Sequence, residues 1–137
     1  MAEYDRMLAA NPNDPAAHRK RGDALFAARQ YAKAIDDYTV ALAGAPDAGT
    51  LMNRGAAYHS LGQFARAIDD YTAALKLAPD DARIYNNRGN AYAAMSKFDQ
   101  AIADYDAALR IQPGYAEAQH NRDGAMKAKT TGKKVQG

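Results

Sequence analysis

Apolar side chains recur along this chain in steps of three and four. Ile84, Ala91, Tyr92 and Met95 lie on one stripe of a 3.6-residue helix, with Arg88 on the same stripe. Phe98, Ile102, Tyr105 and Leu109 form another. Ser96-Lys97 make a short polar break between the two, as Gly62-Gln63 and Arg29-Gln30 do upstream. The second stripe runs into Pro113, which cannot continue a helix. After earlier prolines, Asp80-Asp81 and Asn13-Asp14 can cap the next helix. No segment alternates polar and apolar residues with period two, so the pattern predicts helices and no strand.

The pattern also repeats. Pro12, Pro46, Pro79 and Pro113 are separated by 34, 33 and 34 residues, and Tyr4, Tyr38, Tyr71 and Tyr105 by the same three intervals. Gly22, Gly55 and Gly89 share the last two. The strings AIDDYTVAL, AIDDYTAAL and AIADYDAAL begin at Ala34, Ala67 and Ala101. Self-similarity at this period marks a stack of helical hairpins, none of which buries its apolar face alone. The shortened interval places a missing residue between Pro46 and Gly55, where Asp47-Ala48-Gly49 replaces the longer link after Pro79.

Composition sharpens the picture. The 137 residues are 47% hydrophobic and 25% charged, enough to bury a core. The chain holds 33 alanines, in phase at Ala24, Ala57 and Ala91 and again at Ala34, Ala67 and Ala101. With the three glycines they let paired helices approach closely. A mid-helix glycine costs about 1 kcal/mol relative to alanine, so tight packing is the expected compensation. No run approaches about 18 apolar residues, and the start lacks the layout of a signal peptide. With no cysteine there is no disulfide, thiol nucleophile or thiolate metal site. A cytoplasmic location and no membrane partner are the resulting expectations.

The formal charge of +2 is unevenly placed. Lys127, Lys129, Lys133 and Lys134 fall in the last eleven residues, and the rest has 14 basic residues against 16 acidic ones. Residues 1–126 thus carry −2, which argues against a nucleic-acid partner. Residues 129–137 read as a disordered basic tail, either a solubilising end or a contact for an acidic surface.

Laid out this way, the chain resembles the tetratricopeptide repeat family. Its pattern sets an aromatic, a Leu-Gly pair, a tyrosine, an alanine, a second aromatic, another alanine and a proline in order. Tyr85, Gly89, Tyr92, Ala101, Tyr105, Ala108 and Pro113 match it in the third unit. Leu51, Gly55, Tyr58, Ala67, Tyr71, Ala74 and Pro79 follow it in the second, with Leu51 in the first aromatic place. In the first unit His18 and Leu25 replace aromatics, while Gly22, Ala34, Tyr38, Ala41 and Pro46 agree. The resemblance implies an all-α, right-handed superhelical solenoid of antiparallel helix pairs. Residues 1–14 would end a preceding second helix, units would span 15–47, 48–81 and 82–115, and residues 116–128 would form a capping helix. It further implies an interaction module without catalysis, cofactor or metal, an adaptor that binds a peptide segment of a partner protein in a concave groove. The alternative is a self-associating scaffold, a homodimer joined through exposed terminal helices.

One departure from the family is repeated three times. Arg21, Arg54 and Arg88 stand where the family has leucine, on the apolar stripe of the first helix. Asp37, Asp70 and Asp104 stand just before the tyrosine of the second helix. An unpaired charge in a packed seam is strongly destabilising, so each arginine is expected to pair with one of these aspartates, in its own unit or the next. The alternative for the arginines is a row that binds phosphate.

The resemblance also assigns groove positions, all on first helices. They are Arg19 and Asp23 in the first unit, Met52, Asn53 and His59 in the second, and Arg83, Asn86, Asn87 and Asn90 in the third. Asn121 joins them from the cap. Asn53, Asn87 and Asn121 recur every 34 residues, either as an amide ladder for a peptide backbone or as a solvated polar face. Some family members grip the C-terminal carboxylate of heat-shock chaperones with a Lys, Asn, Asn, Lys, Arg clamp. Arg19, Asp23, Asn53, Arg83 and Asn87 occupy those places here, and Asp23 would repel a carboxylate while Asn87 lacks charge.

Catalytic signatures are missing from the sequence. His18, His59 and His120 share no metal-binding spacing, and no phosphate-cradling or nucleophile-elbow motif occurs. Asp36-Asp37 and Asp69-Asp70 are consecutive, so they point in different directions, and they recur with the repeat as structural residues do.

Overall fold

Short breaks and capped starts cut the chain into helices. A computed structural model describes residues 1–136, with side chains through residue 132. The helices are α1 (Ala2–Ala10), α2 (Pro15–Ala27), α3 (Tyr31–Gly44), α4 (Ala48–Ser60), α5 (Phe64–Leu77), α6 (Ala82–Ala94), α7 (Phe98–Ile111) and α8 (Ala116–Gln136). There is no strand among the described residues.

Helix starts are fixed by aspartates. Asp14 accepts from the Ala16 amide at 3.1 Å, Asp47 from Thr50 at 2.9 Å, and Asp81 from Arg83 at 3.0 Å. Asp47 also takes the Thr50 hydroxyl at 2.8 Å. The caps are spaced 33 and 34 residues apart, so the missing residue falls between Pro46 and Asp47, ahead of the cap. The ends of α2, α4 and α6 share a Schellman turn. Gln30, Gln63 and Lys97 donate back to the carbonyls of Leu25, Tyr58 and Tyr92 at 2.8, 2.9 and 2.9 Å. The residue before each has positive φ: 60° at Arg29, 76° at Gly62 and 58° at Ser96.

Two compact units result, Met1–Leu77 and Ala78–Gly137. In the first, α2 pairs with α3 and α4 with α5, while α3 packs on α4 and α1 on α2. Helices α2 and α4 also touch, which sets two first helices side by side. In the second unit α6 pairs with α7, and α8 covers α7 and touches α6. Helix α8 continues to Gln136, whereas the sequence reading ends it at residue 128 and makes the remainder a tail. Lys127, Lys129, Lys133 and Lys134 bracket no proline, and the one glycine among them, Gly132, costs only about 1 kcal/mol, so the composition that suggested disorder does not prevent helix extension. Gly137 lies outside the described residues.

Close approach within each pair comes from the in-phase small residues. Ala34, Ala67 and Ala101 are completely buried, and Tyr38, Tyr71 and Tyr105 are nearly so. A Cβ on Gly22, Gly55 or Gly89 would stand 2.7 Å from Cε1 of Tyr38, Tyr71 or Tyr105 respectively. Each glycine is therefore the slot into which the partner helix lays its tyrosine ring. The helical cost of glycine is offset by burial of an aromatic face.

Candidate functional site

Each seam arginine is held inside its own repeat. Arg21, Arg54 and Arg88 each reach their aspartate sixteen residues on through both Nε and Nη2. All six bonds to Asp37, Asp70 and Asp104 are 2.7–2.8 Å, the planar fork–fork geometry that makes arginine the strong partner for a carboxylate. The aspartate side chains are 5–7% exposed and the arginine side chains 20–26%, so the pairs sit at the edge of the core. The hydrogen bonds that Arg54 donates to Asp70 raise its pKa above the ordinary arginine value, and those of Arg88 to Asp104 do the same. Arg54 and Arg88 also lie near the rings of Tyr58, Tyr85 and Tyr92. With both prongs of each fork turned inward, a phosphate-binding row is not what these arginines form.

The first repeat adds a group that the sequence pattern missed. His18 is buried, with Nδ1 2.8 Å from Asp37 Oδ1 and Nε2 2.6 Å from the Pro12 carbonyl. Both ring nitrogens thus face an oxygen, which ties α2 to α3 and to the turn ahead of α2. Burial pushes the Asp37 carboxyl up, but hydrogen bonds from Arg21 and His18 outweigh it and hold the group below its ordinary value. The signal was the replacement of an aromatic by histidine at a core position.

Among the groove candidates of the first unit, Arg19 and Asp23 are exposed on α2, and Met52, Asn53 and His59 are half-buried on α4. Asp23 Oδ1 accepts from the Tyr38 hydroxyl at 2.6 Å and from Asn53 Nδ2 at 3.3 Å, which stitches α2, α3 and α4 together. His59 meets Phe64 edge-on with centroids 5.0 Å apart, and burial lowers its pKa. Arg19 borders an open hollow of about 510 Å³ with Pro15, Pro46, Asp47 and Thr50.

In the second unit the candidates separate. Arg83 is exposed but folds back on its own cap, with Nη2 2.8 Å from Asp81 Oδ2. Asn87 and Asn90 are half-buried on α6, and Asn90 accepts from the Tyr105 hydroxyl at 2.6 Å. Asn86 departs from the groove assignment because it is completely buried. Its amide donates to Glu117 at 3.3 Å and lies 3.5 Å from the Tyr115 hydroxyl, and its oxygen accepts from Asn121 at 3.2 Å. Asn86 and Asn121 thus form a polar clip between α6 and α8. Periodicity could not reveal this, because the place holds Met52 one repeat earlier.

Hairpins whose glycine slots, capped starts and buried ion pairs recur in register define a helical-repeat protein. Family models described as tetratricopeptide repeat match residues 2–49 and 82–115, and one described as TPR repeat matches residues 55–96. The chain belongs to the tetratricopeptide repeat family. No curated protein matches it. Among solved structures, the first TPR of Spaghetti (RPAP3) bound to the HSP90 peptide SRMEEVD is 29% identical with a TM-score of 0.81, over 85% of this chain and 93% of that one. The second TPR domain of human RPAP3, in complex with the HSP70 peptide SGPTIEEVD, is 27% identical with a TM-score of 0.76, over 82% and 98%. The Sgt2 TPR domain from Aspergillus fumigatus is 25% identical with a TM-score of 0.81, over 88% and 82%.

Proposed function

We propose that this chain is a non-catalytic interaction module that binds an extended peptide segment of a partner protein on the faces of its first helices. The carrying observation is the side-by-side contact of α2 and α4, whose free faces hold Arg19, Asp23, Asn53, Met52 and His59 at or near the surface. Such a face offers donors, an acceptor and an adaptable thioether together, a mixture suited to a peptide of mixed charge. The peptides bound by the similar RPAP3 domains support the same class of ligand. Asp23 marks a difference in detail. Its exposed carboxylate stands where a clamp needs a neutral amide, and Arg83 is engaged by Asp81. A terminal carboxylate is therefore not the preferred group for this surface.

Selection of a random dodecapeptide library on the immobilised full chain, followed by calorimetric titration of a recovered peptide, tests this reading. Wild type is expected to bind it, and an Arg19→Ala/Asn53→Ala variant to bind it several-fold more weakly. Failure to enrich any sequence over bare support would overturn the proposal. SRMEEVD serves as a counter-probe: we expect weak binding to wild type and tighter binding to Asp23→Asn, in which a carboxylate no longer meets a like charge.

A further inference from the structure

The buried tyrosine of each repeat meets a different neighbour at its hydroxyl. Tyr38 donates to Asp23 and Tyr105 to Asn90, both at 2.6 Å. Each acceptor directly follows the slot glycine, as Asp23 follows Gly22 and Asn90 follows Gly89. In the middle repeat the residue after Gly55 is Ala56, which has nothing to accept with. Tyr71 is only 2% exposed, and its ring is wedged against Gly55, so the hydroxyl cannot swing to another partner. Among the described residues no hydrogen bond is made by this hydroxyl. Among these residues no fully enclosed polar side-chain atom lacks a partner either, so the Tyr71 oxygen keeps contact with solvent, and by register with Tyr38 and Tyr105 its acceptor's place is the one Ala56 holds.

A hydroxyl that reaches solvent at the end of a buried, immobile ring donates to water alone, and an incoming acceptor takes the place of that water with little ordering cost. We propose that Tyr71 is a ligand-binding residue: in the notch left by Ala56 its hydroxyl donates to a main-chain carbonyl of an extended peptide lying along α4. This deepens the peptide-binding reading above and rests on it. The first and third repeats cannot do the same, because their hydroxyls are already engaged. Burial, and then the neighbouring Asp70 charge, push the Tyr71 pKa up, so the group stays protonated and keeps its donor. The exposed Asp23 on the touching helix α2 disfavours a carboxylate as the acceptor and favours a neutral carbonyl.

The test uses the tightest sequence recovered from the dodecapeptide selection on the full chain, titrated against wild type, Tyr71→Phe and Ala56→Asn. Tyr71→Phe is expected to weaken binding about three- to tenfold while its melting temperature stays within about 1 °C of wild type, since no internal bond is lost. Tyr38→Phe, which does lose one, is expected to melt lower. Ala56→Asn is expected to engage Tyr71 as Asn90 engages Tyr105, raising the melting temperature and weakening the peptide to a similar degree. Equal affinity of Tyr71→Phe and wild type would overturn the inference, as would weakening by Ala56→Asn alone, which would mark a steric effect. A peptide with its acidic groups amidated should keep its sensitivity to Tyr71→Phe; loss of that sensitivity would reject the main-chain carbonyl. Selection that yields no binder to wild type would instead overturn the peptide-binding reading itself.

Discussion

At Arg54 and Asp70 a charge pair replaces the leucine contact that the family uses in this seam. Two short, parallel bonds satisfy the carboxylate, and the remaining nitrogen of the fork reaches Thr39 Oγ1 at 3.2 Å. Removing Arg54 alone leaves a nearly enclosed carboxylate, so Arg54→Leu is expected to cost about 3 kcal/mol. The double variant Arg54→Leu/Asp70→Leu should lose about 1–3 kcal/mol less than the sum of the single losses. Chemical denaturation of the four proteins measures this coupling, and additive losses would contradict the pairing. Asp37 adds a pH dependence. Its folded pKa lies below its ordinary 3.8, so the stability it supplies is complete above that value and is lost as pH falls below it, through the folded pKa. The stability gap between wild type and Asp37→Asn should therefore hold steady near neutrality and narrow below about pH 4. Gly55 is a third single-residue test. Alanine gains about 1 kcal/mol of helix propensity, but its Cβ would meet a ring that has no room to retreat. Overpacking of about 1–3 kcal/mol makes Gly55→Ala net destabilising by denaturation.

The helix ends show what an element can conceal in its sequence. All three hairpin breaks were legible as polar dipeptides, and all three fold as the same turn. The left-handed residue in each was not legible, because only the middle repeat places glycine there. Arg29 and Ser96 adopt positive φ under the pull of the Schellman hydrogen bonds, a conformation that disfavours side chains by roughly 1–2 kcal/mol. Arg29→Gly and Ser96→Gly are thus expected to stabilise the chain by about 0.5 kcal/mol each, after the greater unfolded-state freedom of glycine is counted. Gly62→Ala should lose about 1 kcal/mol. Thermal melts that rank these variants otherwise would show that the turn is not what terminates the helix. Two of the aspartate caps were legible as far as the pairs Asn13-Asp14 and Asp80-Asp81 behind their prolines, whereas Asp47, in the shortened link, was not.

For the molecule as a whole, the repeat made the architecture legible while the exceptions to it hold the site. Thrice-repeated glycine, tyrosine ring and arginine fork each take the same packing place in every copy. Asn86, His18 and Ala56 do not recur, and their roles appear only when the side chains opposite them are in place. Helix α8 matters at larger scale, because it closes the second unit as a single helix packed on α7 and touching α6. It brings Ala118 against Ala82 and Ala108, sets Ala125 on Ala101 and Tyr105, and supplies Glu117 and Asn121 to Asn86, with Tyr115 just ahead of it. Ending the chain after Gly114 would expose that apolar face and leave a buried amide unpaired. Within each unit a helix contacts only the next helix or the next but one, so such damage stays near where it is made. Hydrogen exchange on the shortened chain should therefore show protection lost in α6 and α7 and largely kept in α2, α3 and α4. Equal loss throughout would mean that the two units unfold as one cooperative body, and that α8 stabilises the repeats well beyond those it touches.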